Sequence, residues 1–146
     1  MRRPTGVIVG LAFAISAWAC LPFSRSYTTS PPIVGVYRAE TGDPLGGVQL
    51  AISGDSLCTS PALQTATDSA GAFYFPAGEV HVPVVILAPI EHFFTYTFCA
   101  RVAGTMRFVF KESSGVNRSF RTTPDSLTCI EFRTPGKSPV VCTKRR

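Results

Sequence analysis

The chain has 146 residues, enough for one domain with its own hydrophobic core and a processed or flexible end. Val, Ile, Phe, Thr and Tyr are frequent, and 12 glycines and 12 prolines interrupt them, a composition that favours short strands and tight turns over helices. The formal net charge is +5. Because no basic stripe with interleaved aromatic residues is present, nucleic-acid binding is disfavoured.

The amino-terminal segment has the three parts of a cleaved export signal. Arg2 and Arg3 supply a positive end, and an apolar stretch of about a dozen residues then runs to Trp18. This stretch is too short to cross the ~30 Å hydrocarbon core as a permanent helix. A small residue, Ala19, closes the segment. We therefore expect residues 1–19 to be a signal peptide.

The next position carries a resemblance to the bacterial lipobox. Ala17-Trp18-Ala19-Cys20 matches that motif at Ala19 and Cys20, whereas Leu is commoner at the position of Ala17 and Trp18 is bulky for its place. The resemblance implies that Cys20 receives diacylglycerol and anchors the protein to a membrane, the outer membrane because Leu21 rather than Asp follows. The alternative is ordinary cleavage after Ala19, which leaves a secreted protein with a free thiol.

Residues 20–32 are polar, end in two prolines and show no apolar periodicity, so we expect a flexible tether there. The folded domain is then expected over residues 33–146. A first strand is predicted at residues 33–37. Apolar residues alternate with polar or small ones from 48 to 53, which predicts a strand with one buried face.

The rest of the chain is a series of short strand-like segments. Strands are predicted over residues 64–67, 73–75, 82–87, 93–102, 107–111, 119–122 and 127–132. The run 82–87 is the most apolar, which predicts a central strand buried on both faces. The basic residues 144–146 are predicted to be a solvated tail. Seven or eight short strands separated by turns indicate an all-β sandwich of two sheets.

Cysteine counting supports export. The five cysteines are Cys20, Cys58, Cys99, Cys129 and Cys142. An odd number in an exported chain leaves one thiol over. If Cys20 carries lipid, the other four suffice for two disulfides in an oxidising compartment. Three pairings are open, and Cys58–Cys99 with Cys129–Cys142 is favoured because the last two flank a plausible turn at residues 134–136.

Two motifs in the first half of the domain resemble a known family. Residues 41–50 read TGDPLGGVQL after a Gly-containing strand, and residues 65–75 read TATDSAGAFYF after a variable loop. In this order and spacing, residues 33–75 resemble the carboxypeptidase regulatory-like, or transthyretin-like, β-sandwich family. The resemblance implies a transthyretin-like or immunoglobulin-like sandwich that serves as an accessory, adhesive or surface module.

The motif residues carry structural roles in this reading. Pro44 and Gly47 would shape one turn, Asp68 would accept hydrogen bonds from the backbone of a second turn, and Gly71 would permit that turn. The motif brings no catalytic residue. One transthyretin-like branch hydrolyses 5-hydroxyisourate and ends in a Tyr-Arg-Gly-Ser-like tail, which this chain lacks.

We expect neither an enzyme nor a metal or cofactor site. The histidines, His81 and His92, stand eleven apart without metal-ligand spacing, and no nucleophile or phosphate-loop motif is present. Asp43, Asp55 and Asp68 lack the spacing of a calcium loop and are interpreted as turn formers.

These observations predict a membrane-tethered, non-catalytic structural or interaction module of the bacterial cell envelope, held by lipid on Cys20. Its partner would be another envelope protein, bound through a sheet edge or a loop. The alternative is an exported module that binds carbohydrate or another small ligand. Phe94, Tyr96 and Phe98 would separate the two, since an exposed aromatic row favours sugar binding and a buried row favours the interaction module.

Overall fold

The computed structural model describes residues 23–84, 91–115, 118–133 and 139–145, and it shows an all-β protein. Its strands, in chain order, are β1 Phe23–Ser30, β2 Ile33–Ala39, β3 Gln49–Ser53, β4 Pro61–Ala66, β5 Ala72–Phe75, β6 Gly78–Val84, β7 Thr95–Val102, β8 Thr105–Ser113, β9 Asp125–Glu131 and β10 Val140–Arg145. The signal segment, Cys20 and the turn at 134–136 lie outside the described residues.

Two four-stranded sheets form the body of the molecule. The first sheet has the order β10-β9-β2-β5 and the second has the order β4-β3-β7-β8. Neighbouring strands are antiparallel except β2 and β9, which are parallel. This arrangement confirms the predicted fold class, an all-β sandwich, with ten strands in the described residues where seven or eight were expected.

Aromatic side chains fill the space between the two sheets. Phe73 and Phe75 of β5 meet Phe98 of β7 with ring centroids 5.9 and 6.0 Å apart. Phe98 in turn stacks on Phe110 of β8 at 5.2 Å. Such offset and edge contacts add to the free energy that burial of each ring contributes. The core therefore ties the short strand β5 to both central and edge strands of the second sheet.

The strand β3 is buried on both faces rather than on one. Leu50 and Ile52 point into the core, as the alternation predicts, but Ala51 is fully buried too. The disulfide between Cys58 and Cys99 covers Ala51 from the outer side of the sheet. Alternation within β3 cannot reveal this cover, because it is supplied by residues distant in sequence.

The strands β1 and β6 form a separate two-stranded sheet, which we call the ribbon. Since β1 leads into β2 and β6 follows β5, the ribbon prolongs the β2–β5 pair past the prolines at 31, 32 and 76. Proline has no backbone N–H, so a continuous ladder stops at these positions. The ribbon register runs from Ser30–Gly78 beside the sandwich to Phe23–Val84 at the far end.

The ribbon corrects two expectations from the sequence. Residues 23–30 are a paired strand, so the tether over 20–32 and the domain start at 33 are wrong for this part of the chain. The strand was missed because Ser and Thr make up five of its eight residues and leave no apolar alternation to indicate it. The run at 82–87 is an edge strand in its described part, with Pro83 exposed, and residues 85–87 lie outside the described residues.

Two further segments differ from expectation. The predicted strand at 119–122 is irregular; it runs beside β1, where the Phe120 N–H donates to the Thr28 carbonyl at 3.0 Å. The basic end of the chain is not a free tail as far as Arg145, because β10 pairs with β9 along its whole length. Val140 and Cys142 alternate toward the core in β10, and the basic residues obscured that short pattern.

Candidate functional site

A polar cleft of about 810 Å³ opens where β8 and β10, the edge strands of the two sheets, approach each other. We call this cleft the edge groove. Its lining comes from β8, from β10, from the start of β9 and the loop before it, and from the link between β1 and β2: Pro31, Glu112, Phe120, Arg121, Thr123, Pro124, Asp125, Lys144 and Arg145. Polar atoms make up most of this lining, which makes it a surface for hydrogen bonds and ion pairs.

Lys144 lies across the edge groove. Its Nζ forms ion pairs with Glu112 of β8 and, at 2.9 Å, with Asp125 of β9. Burial lowers the pKa of Lys144, but the hydrogen bonds and negative charges of the two carboxylates outweigh burial and leave that pKa raised. The side chain is therefore held as an ammonium group that ties the two sheets together, and it is not activated as a nucleophile.

Buried tyrosines support carboxylates in both sheets. The Tyr96 hydroxyl donates to Glu112 at 2.8 Å, and the Tyr37 hydroxyl donates to Glu131 at 3.0 Å. Burial is the main cause that raises the pKa of each phenol, and the neighbouring glutamate adds to it. Both tyrosines thus remain neutral hydrogen-bond donors, and neither supplies a base at physiological pH.

The edge groove is suited to polar contacts rather than to acid–base chemistry. Its carboxylates are engaged by Lys144, and its other charged side chains are the exposed guanidinium groups of Arg121 and Arg145. Guanidinium groups pair well with carboxylates and phosphates. Across the residues that the structure describes, no cluster of three His, Cys, Asp or Glu side chains could hold a metal ion. The sequence predicted a site at none of these groove residues, and it placed Lys144 and Arg145 in a solvated tail.

The ribbon contains a contact between a hydroxyl and an imidazole. Ser26 Oγ lies 2.8 Å from His81 Nδ1, across the β1–β6 pair. A nucleophile and base need a third group to orient the imidazole and a site that excludes water. Ser26 and His81 are both exposed, and no described carboxylate hydrogen-bonds to His81. This pair therefore has the geometry of a cross-strand contact.

The second of the two predicted turns is built around Asp68 and Gly71. One carboxylate oxygen of Asp68 accepts the backbone N–H groups of Ala70 and Ala72 at 2.9 and 2.8 Å. Gly71 has a φ of +71°, and a Cβ at this position would collide with the carbonyl oxygen of Tyr37. Only glycine meets both requirements without strain.

The first turn is fastened by a residue that the sequence did not single out. Thr67 is buried, and its hydroxyl accepts the Val48 N–H at 2.9 Å and donates to the Leu45 carbonyl at 2.7 Å. Gly47, with a φ of +75°, donates its N–H to the Thr67 carbonyl. Pro44 lies opposite Arg38 in an isolated bridge. The turn residues thus join β2, β3 and β5 and leave no reactive group exposed among them.

The structure contains the two disulfides that were favoured from the sequence. Cys58–Cys99 fastens the loop after β3 to β7, and Cys129–Cys142 joins β9 to β10. Cys129 and Cys142 are direct cross-strand partners in the register. Four of the five cysteines are therefore paired, and the fifth is Cys20. Disulfides indicate an oxidising, exported compartment.

Asp55 organises the loop that carries Cys58. Its carboxylate accepts backbone N–H groups from Leu57, Thr59 and Ser60 at 2.8, 3.1 and 2.9 Å. The hydrogen bond from Thr59, above all, together with those from Ser60, the Ser53 hydroxyl and Leu57, lowers the pKa of Asp55 to about 2. Asp55 thus uses its oxygens within its own turn, as a structural residue does.

The aromatic row expected at 94–98 is mostly inside the protein. Tyr96 is 2% exposed and Phe98 is 0% exposed, and Phe94 is half-buried against Tyr27 of the ribbon at 5.1 Å. Phe93, which precedes the strand, is exposed. The predicted row is therefore not an exposed aromatic platform.

Comparisons with models of protein families, with curated proteins and with solved structures found no match. The resemblance to carboxypeptidase regulatory-like domains therefore stays a prediction from the motifs. Within the described ranges, no helix has the length and apolar character needed to cross a membrane.

Proposed function

We propose that the chain is a membrane-tethered, non-catalytic interaction module of a bacterial cell envelope, anchored by lipid on Cys20. The observation that carries this proposal is the cysteine pairing. Cys58–Cys99 and Cys129–Cys142 use four cysteines, which leaves Cys20 as the single cysteine outside both bridges. That cysteine follows directly after a segment with the composition of an export signal.

The described surface supports binding to another protein of the envelope. The edge strands β8 and β10 flank the edge groove, and Phe108 and Val141 on these strands are 49% and 45% exposed. An exposed sheet edge can pair with an extended segment of a partner. The guanidinium groups of Arg121 and Arg145 would select a partner segment that carries carboxylates.

Intact mass spectrometry tests the anchor. The full-length chain is expressed in a bacterium, extracted from membranes and weighed without and with reductant. We expect a chain that starts at Cys20, carries the mass of a diacylglyceryl group and gains four hydrogens on reduction, two for each disulfide. A soluble product that starts at Cys20 without added lipid would overturn the proposal and leave the thiol for covalent attachment to a partner.

A further inference from the structure

The start of β1 limits how far the folded chain can stand from a lipid on Cys20. β1 begins at Phe23, so two residues separate it from Cys20. With about 3.8 Å between consecutive Cα atoms, the Cα atoms of Cys20 and Phe23 are at most about 11 Å apart. A tether over 20–32 would have allowed about 49 Å between the Cα atoms of Cys20 and Ile33. Since the headgroup layer is about 5–7 Å thick, the Phe23 end of the ribbon must stay at the membrane surface.

Exposure along the ribbon shows which part is free to contact that surface. Beside the sandwich, Tyr27 is 5% exposed because its ring packs against Phe94. Toward the Phe23 end, the side chains of residues 24–26 are exposed, and so are those of His81 and Pro83 on the opposite strand. We call residues 24–26 and 81–83 the distal ribbon. Its inner neighbour is fixed to the body, so the distal ribbon keeps a set orientation.

The charge of the distal ribbon suits an acidic bilayer. The distal ribbon contains one arginine, Arg25, and no Lys, Asp or Glu. The Arg25 guanidinium lies 5.4 Å from the centroid of the Tyr27 ring, which holds the cation on the ribbon while the side chain remains exposed. Phosphates of lipid headgroups are strong partners for a guanidinium, and acidic leaflets attract basic residues that lie close to them.

We propose that the distal ribbon is a membrane-contact surface that lies against acidic phospholipid headgroups and holds the sandwich upright, with the β7–β8 turn facing away from the bilayer. This proposal rests on the lipidation of Cys20 proposed above. The edge groove would then be presented at a fixed, short distance from the membrane, which restricts its partners to proteins that reach that layer.

Tryptophan fluorescence can test this orientation on the lipidated protein. The chain has a single tryptophan, Trp18, so a product that starts at Cys20 has none. Ser24→Trp places a reporter in the distal ribbon. Thr105→Trp places a matched, exposed reporter at the start of β8, beyond the far end of β7, a strand that is itself roughly 26 Å long. Both proteins are incorporated into acidic vesicles with or without a phospholipid that bears a nitroxide on its headgroup.

We expect the nitroxide to remove at least half of the emission of Ser24→Trp and almost none of that of Thr105→Trp. A flexible Gly-Ser spacer as long as residues 20–32, inserted before Phe23, should restore the emission of Ser24→Trp. If Ser24→Trp does not fold, Pro83→Trp reports from its cross-strand partner position.

Intact mass is measured on every preparation, which separates the two ways to fail. A product without the diacylglyceryl group overturns the proposed function and this inference together. A lipidated Ser24→Trp that is not quenched, or is quenched no more than Thr105→Trp, overturns the orientation alone and leaves the anchor standing.

Discussion

Asp55 fastens the loop over β3 by gathering three backbone N–H groups on one carboxylate. Its pKa is about 2 in the folded protein, against an ordinary value of 3.8. A lowered folded-state pKa means that the charged carboxylate stabilises the fold fully above pH 3.8, and that this stabilisation is lost as the pH falls through about 2. The loop should therefore be firm at neutral pH and loosen in acid.

We expect Asp55→Asn to lower the urea midpoint of unfolding at neutral pH, because an amide accepts these hydrogen bonds more weakly than a carboxylate. The difference from the unsubstituted protein should shrink as the pH falls through about 2 and close below it, where Asp55 is protonated and both side chains are neutral. Asp43→Asn is the matched control. The Asp43 carboxylate lies in another exposed turn and accepts one side-chain hydrogen bond, which the Thr41 hydroxyl donates. A difference that stays constant with pH would contradict the assigned role of Asp55.

At the scale of elements, Tyr27 is the one buried aromatic ring among the described side chains of the ribbon. Tyr27 contacts Phe94 at 5.1 Å and His92 at 5.7 Å, and residues 24–26 and 28–30 of β1 are Ser, Thr and Arg, with little apolar area to bury. The sandwich core lies elsewhere, between the two four-stranded sheets. The ribbon and the sandwich should therefore differ in local stability.

We expect Tyr27→Ala to release the ribbon while both sheets persist. Removal of a buried aromatic ring costs about 3–5 kcal/mol. Hydrogen exchange should show that loss in the amides of β1 and β6, with little change in β3 or β7. Tyr74→Ala is the control on β5, where the ring is 55% exposed. It should change the free energy of opening obtained from hydrogen exchange by less than about 0.5 kcal/mol. Equal loss of protection in ribbon and sandwich would show that they unfold as one unit.

The elements that the sequence predicts well are those with an apolar pattern of their own. β2, β3, β5 and β7 alternate buried apolar residues with exposed or small ones, so their positions follow from periodicity. β1 and β10 carry Ser, Thr and basic residues and owe their structure to pairing with β6 and β9, which no local pattern records. The apolar run at 82–87 predicted a buried central strand, but its described part is an edge strand. An apolar run does not specify how deeply a strand is buried.

The candidate site was less predictable than the fold for a related reason. The turn at Asp68 and Gly71 is encoded locally, within five residues, and the motif indicates it. The edge groove instead joins Glu112, Asp125 and Lys144, which meet only after the two sheets have packed. Charged residues spread along a chain look like solvated surface until the topology brings them together.

At the scale of the whole molecule, the two disulfides close loops of different length. Cys58–Cys99 spans 41 residues and Cys129–Cys142 spans 13. The loss of chain entropy in the unfolded state then stabilises the fold by about 3.9 kcal/mol for the longer loop and about 2.9 kcal/mol for the shorter one. The first bridge also covers buried Ala51, so its packing adds to its effect.

We expect Cys58→Ala with Cys99→Ala to reduce the free energy of unfolding by about 4 kcal/mol, and Cys129→Ala with Cys142→Ala by about 3 kcal/mol. Urea unfolding of both double variants, beside the unsubstituted protein, measures the difference. A larger loss in the free energy of unfolding for the Cys129 and Cys142 pair would contradict this order. It would show that the bridge between β9 and β10 stabilises the fold more than the bridge over β3.

The bridges have one more property, since each joins cysteines that are neighbours along the chain when Cys20 is set aside. A polypeptide threaded amino end first into an oxidising space presents Cys58 and Cys99 before Cys129 has emerged. If lipid occupies Cys20, as proposed, the first two free thiols to meet the oxidant are already native partners, and the last two are left for each other. Oxidation in order of arrival would then yield the correct pairing, so maturation would require an oxidant but no reshuffling of wrong bridges.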